Sequence, residues 1–204
     1  MPRKSQTRSD SESQDLIRTF ICIELPESIK QKMELLENQL RGVDAQVSWV
    51  RPSNVHLTLK FLGGVPTHKI DRVSQAAERA ARDIAAFEVE VAGAGCFPSA
   101  RSPRVLWVGL AGVPDPLANL YKRLEEELAA LGFEPEKRRF APHLTIGRLR
   151  SPRNGAELAQ NLIAIGFESE RFAAREVIVM RSQLKPTGSI YTPISVIPLE
   201  REIS

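Results

Sequence analysis

Two tetrapeptides of one pattern constrain this chain most: His56-Leu-Thr-Leu59 and His143-Leu-Thr-Ile146, with His143 lying 87 positions after His56. Self-similarity at a fixed spacing predicts a duplicated architecture in which each copy is one supersecondary unit. The same spacing carries Phe20 of the run Phe20-Ile-Cys-Ile-Glu-Leu25 onto Trp107 of Val105-Leu-Trp-Val-Gly-Leu110. Both runs are short and apolar, as buried strands are.

The segments between follow one plan. After the first run, Pro26 and Ser28 open a helical pattern with Met33, Leu36 and Leu40 on one face, and Ser28 with Gln31 has capping-box spacing. In the second half Asp115 is placed to cap and Pro116 to begin a helix with Leu117, Leu120, Leu124 and Leu128 at helical spacing. Each helix leads through a polar, Pro-containing loop to a His-Leu-Thr strand. Ile70, Val73, Ala77 and Ile84 then mark one further helix, and Leu158, Leu162 and Ile165 a shorter one. Strands are predicted at Phe87–Val91, Glu176–Met180 and Ile190–Ile197.

Strand, helix, strand, helix, strand, twice over, predicts an α+β fold of two pseudo-symmetric lobes. Each lobe is an antiparallel sheet with outer helices, and the two face a central cleft. Residues 1–16 are polar, rich in Ser and mixed charge, and read as a disordered tail, which leaves 17–204 as one bilobal domain. No apolar run is long enough to span a bilayer, and the first residues lack a signal's apolar stretch, so a cytoplasmic protein with no membrane partner, acting as a monomer, is expected. Cys22 and Cys96 have neither disulfide-framework nor zinc spacing and read as small hydrophobes.

On a strand, residues i and i+2 share a face, so His56 with Thr58, and His143 with Thr145, point one way while the intervening apolar residues anchor them. With seven threonines in 204 residues and three histidines, two His-x-Thr pairs would arise by composition alone in roughly 0.3% of chains. Cleaving a phosphodiester in line needs a base for the attacking oxygen and an acid for the leaving oxygen. Two imidazoles with ordinary values near 6.5 can divide those jobs at neutral pH without a metal. Thr58 and Thr145 supply donors for the non-bridging oxygens.

With these residues the sequence resembles the two-histidine (2H) phosphoesterases, and most closely their RNA 2',3'-cyclic phosphodiesterase branch, historically called 2'-5' RNA ligases. The resemblance covers almost all of 17–200 and includes Phe20-Ile-Cys-Ile-Glu-Leu-Pro26, Val55-His-Leu-Thr-Leu-Lys-Phe-Leu-Gly63, Arg104-Val-Leu-Trp-Val-Gly109 and Phe140-Ala-Pro-His-Leu-Thr-Ile-Gly-Arg148. It implies a two-lobed fold and hydrolysis of RNA 2',3'-cyclic phosphate ends to 2'-phosphates, with weak reverse 2'-5' ligation and no cofactor. It also implies His56 as the proton donor to the departing 3'-oxygen and His143 as the base, although the symmetry allows the reverse. Arg148 resembles the arginine after the family's second motif and would bind phosphate as a fork of donors. At +5 from His143 it has the wrong parity for the cleft unless Gly147 introduces a bulge.

Lys60 has the parity of His56 and Thr58 and is a candidate phosphate-steering residue. Phe140, Tyr191 and Trp49 are candidates to stack on a base or ribose. His68 reads as a surface residue. The net charge of +3 and pI near 9.0 suit an anionic ligand, and Lys137, Arg138, Arg139, Arg148, Arg150 and Arg153 cluster around His143 while Arg51 and Lys60 flank His56. The expected partner is RNA with a 2',3'-cyclic phosphate or 2'-5' linkage. Two rivals stand beside it: a module that binds such ends without turnover, and the same chemistry on ADP-ribose cyclic phosphate. ATP-dependent ligation is disfavoured by the absence of a phosphate-binding Gly-x4-Gly-Lys loop or a Lys-x-Asp-Gly motif, and metal-dependent hydrolysis by the lack of carboxylates at ligand spacing from either histidine.

Overall fold

The computed structural model describes residues 15–186 and 188–200. Its elements are β1 (Leu16–Glu24), α1 (Glu27–Leu40), β2 (Val47–Trp49), β3 (His56–Pro66), α2 (Ile70–Ala81), β4 (Phe87–Phe97), β5 (Val105–Leu110), α3 (Asp115–Ala129), β6 (Leu144–Leu149), α4 (Gly155–Ile165), β7 (Glu170–Ala174), β8 (Glu176–Lys185) and β9 (Gly188–Pro198). No helix among the described residues is long and apolar enough to cross a membrane.

The strands form two antiparallel sheets, ordered β3-β1-β8-β9 and β2-β6-β5-β4-β7. The first three strands of one correspond to the middle three of the other: β3-β1-β8 against β6-β5-β4. The two sheets thus share a three-strand pattern, but the lobes are not the two halves of the chain. β4, from the first half, sits in the second sheet, and β8, from the second half, sits in the first. The helices interleave in the same way. α2 lies on β8 and β9 beside α3, which reaches β3, while α4 lies on β4 beside α1. One apolar core runs through both sheets.

The helix patterns translate directly into burial. Leu117, Leu120, Leu124 and Leu128 are wholly buried, and each such side chain contributes about 1.5–3 kcal/mol by transfer from water. The capping details differ from expectation. Pro26 and Pro114 occupy the N-cap positions with no side-chain cap. Ser28 instead donates to Glu170 Oε1 at 2.6 Å, and that long-range partner replaces the local one. Ile165 is about half exposed because α4 ends there, and Ile84 lies beyond α2.

β1 needs apolar residues on both faces. Ile21 and Ile23 join the main core, while Phe20 and Cys22 form a second cluster with Ile178 and Met180 on the opposite face, where Tyr191 packs. This double burial explains why the run is continuous rather than alternating. The predicted tail lies outside the described residues except at its end, where Leu16 already pairs with Pro66 and the Asp15 carbonyl accepts from Thr67 N and Oγ1 at 3.1 and 2.8 Å. Residues 15 and 16 thus belong to the fold. The short strands β2 and β7 carry no periodic signal of their own and were not foreseen.

Candidate active site

β3 pairs with β1, and β6 with β5, through the same irregularity. Thr58 opposes Cys22 and Lys60 opposes Ile21, so Leu59 has no partner. Thr145 opposes Trp107 and Gly147 opposes Leu106, so Ile146 has none. A bulge of one residue reverses the alternation of side chains beyond it. Position +5 after each histidine is thereby turned to the face of the His and Thr, and position +4 away from it.

Three expectations are decided by these bulges. Arg148 reaches the cleft face and lines, with Thr145, a cavity of about 320 Å3 whose other wall includes His56, Thr58 and Phe61. The unopposed residue is Ile146 rather than Gly147, which pairs with Leu106; close approach keeps position 147 a glycine, since a Cβ would stand 2.8 Å from Val47 Cγ1 and 3.1 Å from Trp49 Cε3. Lys60 is not among the residues lining that cavity. The bulge at Leu59 turns it toward α3, where its Nζ donates to Glu125 Oε2 and to the Glu134 carbonyl, both at 2.8 Å. The residue facing the cleft in its place is Phe61, half exposed, with the Arg18 guanidinium 4.4 Å from its ring centroid.

The register also corrects the internal alignment. The duplicated histidine strands keep their spacing of 87 residues, but β1 and β5 pair so that Cys22, not Phe20, occupies the place of Trp107. Phe20 consequently has a role without a copy: its ring stacks on His56 at 4.5 Å and 22°.

The two histidines are anchored alike. His56 Nδ1 lies 2.8 Å from the Asn54 carbonyl, and His143 Nδ1 lies 2.9 Å from the Ala141 carbonyl. A carbonyl only accepts, so each Nδ1 carries its proton and donates it. Each Nε2 is left to exchange a proton with a ligand. His56 is further enclosed by the edge of Tyr191 at 5.3 Å, and burial holds its imidazolium below the ordinary value, against the opposing pull of the Asn54 carbonyl and Glu24. His143, just before β6, is half-buried, meets the edge of Phe97 at 5.1 Å, and is not among the residues of the cavity wall. The β8–β9 hairpin completes that wall with Ser182, Leu184, Ser189 and Tyr191.

A chain whose two histidines, at or just before a strand, are anchored alike matches the family described as LigT-like phosphoesterase twice, over residues 23–107 and 108–191. The chain belongs to the LigT-like phosphoesterase family. The two family matches begin at Ile23 and Val108, the pair that the strand registers equate. Among curated relatives, the RNA 2',3'-cyclic phosphodiesterase of Methanothermobacter thermautotrophicus is 36% identical over 184 residues, covering 90% of this chain and 99% of that protein. The one from Thermotoga maritima is 38% identical over 178 residues, covering 86% and 91%. Among solved structures, E. coli LigT complexed with 3'-AMP superposes with a TM-score of 0.70 at 26% identity, covering 91% of this chain and 98% of that one.

Two other stacking candidates fall elsewhere. Phe140 stacks face to face on Tyr121, ring centroids 3.9 Å apart at 13°, and packs against the core instead of the cavity. Trp49 is half-buried against the core with the Arg41 guanidinium 5.4 Å from its ring. Both are hydrophobic residues that a large neighbouring core claims first. Tyr191 lies in the cavity wall, and exposed His68 sits in the short 3-10 turn before α2. Sequence reasoning missed the roles of Phe20 and Asn54; the 87-residue spacing already equated Phe61 with Arg148 but gave it no role in the site.

Proposed function

We propose that this protein hydrolyses RNA 2',3'-cyclic phosphate ends to 2'-phosphates by metal-independent acid and base catalysis, His56 and His143 supplying the two groups. The observation that carries this reading is the matched pair of Nδ1–carbonyl hydrogen bonds, which fixes one tautomer in both halves and leaves two Nε2 atoms for chemistry. His143 Nε2 takes a proton from water as its oxygen bonds to phosphorus. His56 Nε2–H gives a proton to O3' as the P–O3' bond breaks, leaving a 2'-phosphate and a 3'-hydroxyl. Thr58 and Thr145 donate hydroxyl hydrogens to the non-bridging oxygens, and Arg148 grips them with its fork. A 5'-hydroxyl in place of water, handled by the same base and acid, gives a 2'-5' linkage, so weak ligation accompanies hydrolysis.

Phe61 offers a flat, half-exposed ring beside Thr58, suited to the base of the terminal nucleotide. Tyr191 borders the ribose side. One polypeptide contributes both histidines, which supports action as a monomer. Its two unpaired cysteines suit the reducing cytoplasm.

The test is an oligonucleotide ending in a 2',3'-cyclic phosphate, incubated with the protein in EDTA beside ADP-ribose cyclic phosphate. The expected result is turnover of the oligonucleotide to a 2'-phosphomonoester. Tight binding without product would favour an end-binding module, and preference for the small nucleotide would move the substrate assignment.

A further inference from the structure

Between α3 and β6 the chain has no regular structure, so the segment delivering His143 must be held by other means. Glu125 of α3 is central to that. Its Oε2 accepts from the Glu136 amide at 2.8 Å and from Lys60 Nζ at 2.8 Å, and Lys60 also donates to the Glu134 carbonyl at 2.8 Å. Both members of the ion pair are sequestered, at 10% and 13% relative exposure. Tyr121, one turn earlier in α3, stacks on Phe140. The next residue, Ala141, provides the carbonyl that orients His143.

Lys60 belongs to β3, the strand that starts at His56. The pair ties the strand of the first histidine to α3, and its further bonds to the Glu134 carbonyl and the Glu136 amide extend that tie to the loop of the second. We propose that Lys60 and Glu125 are positioning residues that set where His143 stands relative to His56, without touching substrate. The inference rests on the two-histidine reading above. Apolar side chains of similar volume often replace a buried ion pair with little or no loss of stability. Only the charged pair also grips the Glu134 carbonyl and the Glu136 amide, two backbone groups of the loop.

The experiment separates stability from placement. Full-length Lys60→Met/Glu125→Leu, which replaces the pair by apolar side chains, is compared with wild type on the cyclic-phosphate oligonucleotide in EDTA. It should melt at or above the wild-type temperature, yet lose about 10-fold to 10²-fold in kcat, the scale of a misplaced catalytic group. KM should stay near wild type, because Thr58, Thr145 and Arg148 are untouched. The Nδ1–H proton resonance of His143 should weaken through solvent exchange while that of His56 persists. Should the double variant not fold, Glu125→Gln serves, since it keeps an acceptor for Glu136 and removes the ion pair; lowered kcat at unchanged KM is again expected. A folded variant with wild-type kcat and an intact His143 resonance overturns this inference alone. An inactive wild type, or a fully active His143→Ala, overturns the two-histidine reading and this inference with it.

Discussion

Leu59 of β3 and Ile146 of β6 are the same residue of a duplicated design: each is the unopposed member of a bulge three positions after its histidine. Because of them, Phe61 and Arg148 stand at equivalent places, opposite Phe20 and Val105. The symmetric cleft thus carries an aromatic ring on one side and a guanidinium on the other.

That asymmetry predicts different losses. Arg148→Ala should cost about 10²-fold or more in kcat, the scale of removing one transition-state donor, and Arg148→Lys should restore only part, since an ammonium lacks the fork. Phe61→Ala should cost roughly 10-fold, the lower range for a lost base stack. Steady-state kinetics on the cyclic-phosphate oligonucleotide checks both. Equal losses for the two alanine variants would deny the distinct roles.

Gly147→Ala should destabilise the fold by about 1–3 kcal/mol, as overpacking does, because its Cβ would crowd Val47 and Trp49. Adding Val47→Ala should recover part of the loss. Urea unfolding measures this, and a neutral Gly147→Ala would show that β2 gives way freely.

The pH dependence follows from His56. As the acid it must hold a proton, and in the free protein burial lets that proton go below the ordinary imidazole value. kcat/KM reports the free enzyme, so its alkaline limb should fall with an apparent value below about 6.5. Bound phosphate favours the imidazolium, so the corresponding limb of kcat should lie at higher pH. If kcat/KM instead rises with pH through that low value, His56 is the base and the roles are exchanged.

Glu37 in α1 is buried, and its Oε1 has no hydrogen-bond partner; burial pushes its carboxyl up to about 7, opposed by Arg41. Below the ordinary value of 4.5 both folded and unfolded states are protonated. As pH rises through 4.5 the unfolded state ionises first, so the group destabilises the fold progressively until about 7. Glu37→Gln should therefore stabilise by about 1–2 kcal/mol at pH 8 and by little at pH 4. A gain of equal size at both would assign the effect to something other than ionisation.

The histidine strands, the helices and the Arg148 bulge were legible because they rest on local physics: parity, helical spacing and a glycine. The same reasoning turned Lys60 to the cleft and gave Phe61 no role, since the bulge at Leu59 has no glycine to announce it. Phe20 was matched to Trp107 by a spacing that holds for β3 and β6 but slips by two residues between β1 and β5. The exchange of β4 and β8 between sheets is a matter of long-range pairing, which no local pattern in Phe87–Phe97 or Glu176–Lys185 encodes. Phe140 and Trp49 could not be told from core residues by type alone.

The most direct measurement compares wild type, His56→Ala and His143→Ala on the cyclic-phosphate oligonucleotide in EDTA, with folding checked by circular dichroism. Wild type should turn over without added metal, and each variant should lose at least ~10²-fold in rate, the lower end for losing a general acid or base. Undiminished turnover by either folded variant would contradict the account.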